Sequence, residues 1–271
     1  MIFLKSQNII FLKAKKIAGT SVEIALSANA NAQDIVTPFS MYDECVRYDL
    51  GFQTPVNWAV NHEKEERHLQ RIKRFHKLYH TPFLPYFEVY WTLRRRLGFS
   101  PIAHKSRGDK DSTVFYAHMT ADDIARQLGR DVFLNAYKVA VVRHPYDQLI
   151  SHVYFRLRKT LELNFLRRAD ERAFNNTVDR ILREELSISD HYMFENQWIV
   201  DHPIRYEHLR EDLKILEDSK GLKLVQHLPH TKHTFRKDRR PAHEVLTKDQ
   251  MRRCFEKSRI EFEMFGYESY L

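Results

Sequence analysis

Hydrophobic and polar positions along the chain follow two periods. A continuous apolar run, Ile9-Ile10-Phe11-Leu12, predicts a short buried strand. A basic turn, Lys13-Ala14-Lys15-Lys16, follows it. After Gly19-Thr20-Ser21 the spacing changes, and Val22, Ala25 and Leu26 fall on one face of a helix. The same switch recurs downstream. Val139-Ala-Val-Val142 reads as a strand of the buried parallel kind. Arg143 and His144 end it, Pro145 suits the first turn of a helix, and Leu149, Ile150 and Val153 supply that helix's apolar face.

Weaker segments fit between these two units. Asp34 to Thr37 is a candidate short strand. Thr113 to Ala117 alternates and predicts a strand with His118 at its end. Thr120 reads as the N-cap of a helix with Asp122 and Asp123 in its first turn, Ile124 and Leu128 on its buried face and Gly129 at its end. Pro203 to Tyr206 reads as a last strand, followed by a helix carrying Leu213 and Leu216 to Gly221. Thr247 caps a final amphipathic helix over residues 248–262. The fold class expected is α/β, with a central parallel sheet flanked by helices.

Residues 56–112 stand apart as a helical insertion within a single domain spanning 1–271. Basic residues and histidines crowd residues 62–80, with Leu69, Ile72, Phe75 and Leu78 as a narrow apolar stripe. The insertion reads as a lid or acceptor-binding cover, or as a helical hairpin with a solvated basic face. His76 and His80 stand four apart, yet no HExxH motif accompanies them, and no metal is expected.

Composition narrows the classes. The chain has 271 residues, 43% of them hydrophobic, and no apolar run of eighteen, so no membrane span is expected. The opening MIFLKSQN lacks the features of a signal peptide. Two cysteines, Cys45 and Cys254, show no metal spacing, and the expectation is a reducing, cytoplasmic setting. Lys and Arg number 44 against 36 acidic residues, a net charge of +8. That excess favours an anionic ligand or polymer without pointing to nucleic acid, and it is compatible with peripheral contact at a membrane surface. It does not set the oligomeric state.

Strand, tight turn and helix together bring backbone N–H groups and a positive dipole end to one point, where an anion can sit. Around that point Gly19 permits close backbone approach, Thr20 and Ser21 offer hydroxyls, and Lys16 offers a point charge. The GxxxxGK[ST] spacing of nucleotide-hydrolysing P-loops is absent. The second unit places Arg143 at a strand exit and Ser151 about two helical turns on, a pair able to grip a phosphate. His118 reads either as a general base facing a ligand crevice or as a residue that merely caps the next helix.

Strand-KAKKIAGTS-helix followed by strand-VVRHPYDQLISHVYF resembles the sulfotransferases that use 3′-phosphoadenosine 5′-phosphosulfate (PAPS), nearest to their carbohydrate-type branch. The resemblance covers residues 8–28 and 113–271; residues 56–112 show none. It implies a P-loop-like three-layer fold and transfer of a sulfuryl group from PAPS to a hydroxyl of a sugar or glycan, which the basic insertion suggests is anionic. The product is adenosine 3′,5′-bisphosphate (PAP), and no metal is required. Lys13, Lys15, Lys16, Ala18, Gly19, Thr20 and Ser21 would belong to the loop that holds the 5′-phosphosulfate, with Lys16 on the leaving oxygen. Lys15 departs from the proline of many relatives. Arg143 and Ser151 match the pair on the 3′-phosphate, and His118 matches the base of some carbohydrate sulfotransferases. Tyr206-Glu207 resembles the family's Tyr-Glu signature. Lys232, Arg236 and Lys237 fall in a basic loop that in relatives closes over the nucleotide. Two rival classes stay open: a small-molecule kinase, and a non-catalytic module that binds an anionic polymer.

Overall fold

The computed structural model describes residues 1–79, 113–163, 171–184, 189–229 and 240–271. Its main sheet contains β1 (Ile2–Leu4), β2 (Ile9–Leu12), β3 (Ile35–Val36), β4 (Tyr137–Val142) and β7 (His202–Arg205), in the order β3-β1-β2-β4-β7. A separate antiparallel pair joins β5 (Met193–Phe194) to β6 (Gln197–Trp198). β2 pairs with β4 in parallel, with Phe11 opposite Val139, and β4 pairs with β7 in parallel, with Val142 opposite Arg205. Every residue of β2 is buried, and so are residues 138–142 of β4. Both strands are continuous apolar runs because both of their faces are covered.

The sheet is mostly parallel, and β1 is the exception. It runs antiparallel to both β2 and β3, with Phe3 opposite Ile10 and Ile35. Only residues 5–8 separate β1 from β2, and a link that short can close an antiparallel hairpin but not a parallel crossover. Asn8 takes a left-handed conformation to make the turn, with φ of 54°.

Helices cover the sheet. In chain order they are α1 (Gly19–Ser27), α2 (Met41–Asp49), α3 (His62–Tyr79), α4 (Ala121–Leu128), α5 (Arg130–Asn135), α6 (Pro145–Leu163), α7 (Glu171–Glu184), α8 (Ser189–Tyr192), α9 (Leu209–Lys220), α10 (Ala242–Val245), α11 (Lys248–Lys257) and α12 (Arg259–Phe265). One apolar core centres on the sheet and includes Val22, Leu26, Ile124, Leu213 and Leu216 from the helices. A second lies among α6, α7, α11 and α12 and contains Tyr146, Ile150, Val153, Val178, Ile181, Met251 and Phe262. Among the described residues no helix is long and apolar enough to cross a membrane.

Several local expectations are met. Thr120 caps α4 through the Asp123 N–H. Thr247 and Gln250 form a reciprocal capping box at α11. Two expectations are corrected. The final helix is two helices, because the chain turns at Ser258. Residues 113–117 do not join the main sheet: Thr113 makes one isolated antiparallel bridge to Ala59. The Val114 and Phe115 N–H groups both donate to the Trp58 carbonyl, at 3.0 and 2.9 Å, so no ladder propagates. His118 therefore sits in a left-handed turn, φ 63°, and not at the end of a sheet strand.

The first part of the insertion packs on α2. Tyr42 meets Phe75 edge to face, Tyr48 meets His76, and His76 also pairs with Asp49. Ile72 of the apolar stripe is buried. Residues 80–112 of the insertion lie outside the described residues.

A buried charge cluster joins the hairpin to α1. Glu23 is fully covered and accepts from Lys13 Nζ and from the Met1 amino group, each at 2.5 Å. Burial alone raises the Glu23 carboxyl's pKa, but Lys13, the Met1 amino group and Arg47 outweigh it and hold the value near about 2. Removing one member of such a pair leaves a buried charge uncompensated. Glu23→Ala is expected to lose about 3–5 kcal/mol in urea unfolding. The stabilisation from Glu23 is complete above its ordinary value of 4.5 and is lost as pH falls toward about 2, and the variant should lack that part of the acid slope. A loss below about 1 kcal/mol would show that the cluster contributes little.

Candidate functional site

The C-terminal exits of β2 and β4 lie side by side because the two strands are parallel neighbours in register. Residues 13–18 leave β2 and enter α1; residues 143–145 leave β4 and enter α6. These are the two units singled out in the sequence, and side chains of the second hold the backbone of the first. Arg143 Nη1 donates to the Lys16 carbonyl at 3.2 Å, and Gln148 Nε2 donates to the Lys15 carbonyl at 2.7 Å. His118 Nδ1 lies 3.2 Å from the Lys13 carbonyl. Tyr192 Oη donates to the Val141 carbonyl at 2.7 Å and accepts from the Ala14 N–H at 3.4 Å, tying both strand exits together.

This pattern orients the loop. Across a planar trans peptide the N–H points opposite to the C=O. With the carbonyls of Lys15 and Lys16 held by Gln148 and Arg143, the N–H groups of Lys16 and Ile17 point away from those side chains. Lys16 and Ala18 are left-handed, with φ of 64° and 62°. Such alternation of backbone hand turns successive N–H groups to one side and makes an anion-binding concavity. α1 begins directly after it, with no side-chain cap at Ala18 and no acidic residue in the first turn. A negative charge is favoured at such a dipole end.

The expected site residues divide. Lys15, Lys16, Ala18 and Thr20 are half-buried around the turn, while Gly19 and Ser21 are buried. Lys16 Nζ lies 4.2 Å from the centre of the Phe155 ring. Gln148 and Phe155, both on α6, touch the loop, and Ser151 falls between them at helical spacings of three and four. Ser151 is thus on the loop-facing stripe. The Arg143 guanidinium stacks on the Tyr206 ring at 4.1 Å, which brings these two expected residues together. Glu207 accepts from the His144 N–H at 2.9 Å and from Tyr267 Oη at 3.2 Å, fixing the turn after β4 to the C-terminal segment.

Other expectations are corrected. Lys13 is buried and turned to Glu23, so its ammonium serves the core and not the turn. The missing Cβ of Gly19 makes room for that same Lys13 stem: a Cβ there would lie 2.9 Å from Lys13 Cγ. Asp43 and Glu44, polar residues of a weakly patterned stretch, are buried on α2. His191 and Tyr192 are also buried, Tyr192 within the main core. Lys232, Arg236 and Lys237 lie outside the described residues. Gln148, Phe155 and the bridging role of Tyr192 were not anticipated; their spacing marks them only as members of a helix or core.

His118 has a defined tautomer. A carbonyl can only accept, so Nδ1 carries the proton toward Lys13 and Nε2 carries the lone pair. Burial first, then the Lys13 and Met1 cations, push its pKa down to about 3. The ring is neutral across the physiological range and can receive a proton at Nε2. Among the described residues no group of three or more His, Cys, Asp or Glu side chains is arranged to hold a metal ion. No protein family, curated protein or solved structure matches the chain.

The His118 environment predicts a titration. Its ring resonances should stay in the neutral form between pH 8 and about 5 by NMR. Because the folded value lies below the ordinary 6.5, the associated stability is present above that pH and declines as pH falls toward about 3. A midpoint near 6.5 would show the ring to be solvated.

Proposed function

We propose that this chain is a PAPS-dependent sulfotransferase with a P-loop-like three-layer fold, acting on a hydroxyl of a sugar or glycan. The observation that carries the reading is the meeting of the two strand–turn–helix units, with Arg143 and Gln148 fastening residues 15–16. The parallel pairing of β2 and β4 brings the two turns side by side, and the side chains of the second unit then fix the backbone of the first.

The residues suit the donor. The left-handed turn at Lys16 and Ala18 and the uncapped start of α1 fit a 5′-phosphosulfate. Arg143, over the Tyr206 ring, and Ser151 on the loop-facing stripe fit a 3′-phosphate. Bound PAPS would supply the sulfuryl group and depart as PAP. Lys16 would stabilise the negative charge that grows on the phosphate oxygen as the S–O bond breaks. His118 Nε2 would take the proton of the acceptor hydroxyl as its oxygen bonds to sulfur. Burial is the main reason His118 is weakly basic and the Lys13 and Met1 cations add to it; negative charge brought beside the ring would offset the cations' part.

Calorimetry with PAP, 5′-AMP and ATP tests the reading. PAP should bind and 5′-AMP should bind far more weakly. Arg143→Ala should weaken PAP by about tenfold to a hundredfold. With PAPS and a panel of sugar acceptors, Lys16→Ala should lower kcat by about a hundredfold to a thousandfold while leaving the protein folded. Preference for ATP with Mg²⁺ would overturn the sulfotransferase reading in favour of a kinase. Absence of nucleotide binding, with salt-sensitive binding of polyanions, would favour a polymer-binding module.

A further inference from the structure

The exit of β7 joins those of β2 and β4 at the candidate site. β4 pairs with β7 in parallel, with Val142 opposite Arg205. The same register carries on past the strands, where side-chain contacts replace the backbone ladder. The next pair is Arg143 with Tyr206, the guanidinium 4.1 Å from the ring centre. The pair after it is His144 with Glu207, whose Oε1 accepts from the His144 N–H at 2.9 Å. The β7 exit is itself braced. Buried Asp212, on α9, accepts from the Arg205 N–H at 2.8 Å and from two nitrogens of the Arg205 guanidinium at 2.9 and 2.8 Å. Tyr206 and Glu207 therefore follow directly on a fixed residue.

The His144 N–H belongs to the peptide unit that begins at the Arg143 carbonyl. That unit is planar, so an acceptor on the N–H also sets the direction of the Arg143 carbonyl, and with it the backbone from which the Arg143 side chain departs. The other oxygen of Glu207, Oε2, accepts from Tyr267 Oη at 3.2 Å. Burial first, then the Glu207 carboxylate, raises the pKa of the Tyr267 hydroxyl, which stays protonated and donates. The segment that carries Tyr267 is fastened to the start of α6. A carbonyl only accepts, so His144 Nε2 donates to the Glu268 carbonyl, at 3.2 Å, and Tyr146 Oη donates to the Ser269 carbonyl at 2.6 Å. The rings of His144 and Tyr267 lie 4.9 Å apart. Each oxygen of Glu207 thus has one donor, and both donors are held by the turn that contains Arg143.

We propose that Glu207 is a positioning residue for Arg143. With Tyr267 behind it, it sets the Arg143–His144 peptide so that the guanidinium, over Tyr206, grips the 3′-phosphate of the nucleotide. The inference rests on the sulfotransferase reading above. In this role Glu207 does not touch the nucleotide, and its charge is not required. A glutamine can accept from the His144 N–H through its oxygen and donate to Tyr267 Oη through its amide.

Calorimetric titration with PAP tests this on the wild type, Glu207→Ala, Arg143→Ala and the double variant. Glu207→Ala should weaken PAP by about tenfold when Arg143 is present, and by less than about twofold when Arg143 is already alanine. Glu207→Gln should restore most of the affinity lost in Glu207→Ala. A loss of the same size in both backgrounds would show a structural role independent of Arg143, and tighter binding in Glu207→Ala would show that the carboxylate only repels the phosphate. Either result overturns the inference. Tyr267→Phe removes only the hydroxyl and should weaken PAP by a smaller factor, again only when Arg143 is present; it carries the test if Glu207→Ala does not fold. PAP affinity that follows Arg143 but neither Glu207 nor Tyr267 overturns the inference and leaves the sulfotransferase reading standing. PAP that does not bind the wild type overturns both.

Discussion

The parallel pairing of β2 with β4 is the constraint on which the rest of the structure depends. Phe11 opposite Val139 and Leu12 opposite Ala140 set the register, and both strands then end at the same height. A strand exit followed by a helix start is an ordinary feature of α/β proteins. Two of them side by side give one loop whose backbone is held by side chains of the other. Slipping the pairing by one residue would reverse the faces of a strand that is buried on both sides and would move Arg143 off the Lys16 carbonyl.

Around that pairing the structure separates charges that hold the fold from charges that face the turn. Lys13 and Lys16 stand three residues apart in one basic run. Lys13 passes over the bare face of Gly19 into the core and meets Glu23. Lys16, in a left-handed conformation, turns outward to the Phe155 ring. The core cation also acts on chemistry at a distance, because Lys13 lowers the basicity of His118 while its own carbonyl fixes the ring's tautomer. The second cation that reaches this region, Arg47, is paired less completely.

Much of this was legible in the sequence because it depends on local pattern. Continuous apolar runs gave β2 and β4, period-3.6 spacing gave α1 and the start of α6, and side-chain chemistry gave the caps at Thr120 and Thr247. Expectations went astray where a segment's partner lies far away in the chain. Residues 113–117 alternate as a strand should, yet the N–H groups of Val114 and Phe115 are both taken by one carbonyl, that of Trp58. Asp43 and Glu44 look like surface residues because nothing in residues 41–49 announces the buried Arg47 pairing or the cover that α3 provides.

The sequence by itself determined the α/β class, the two strand–turn–helix units and the set of polar residues at their turns. These follow from interactions within a few residues, where spacing and side-chain type decide the outcome. Tertiary structure decided which lysine enters the core, which way the carbonyls of Lys15 and Lys16 point, and that Arg143 stacks on Tyr206. It also decided that β1 runs against its neighbours and that Arg47 is covered with its nitrogens unbonded. Those features depend on desolvation and on contacts between residues remote in the chain, and neither is encoded in local spacing.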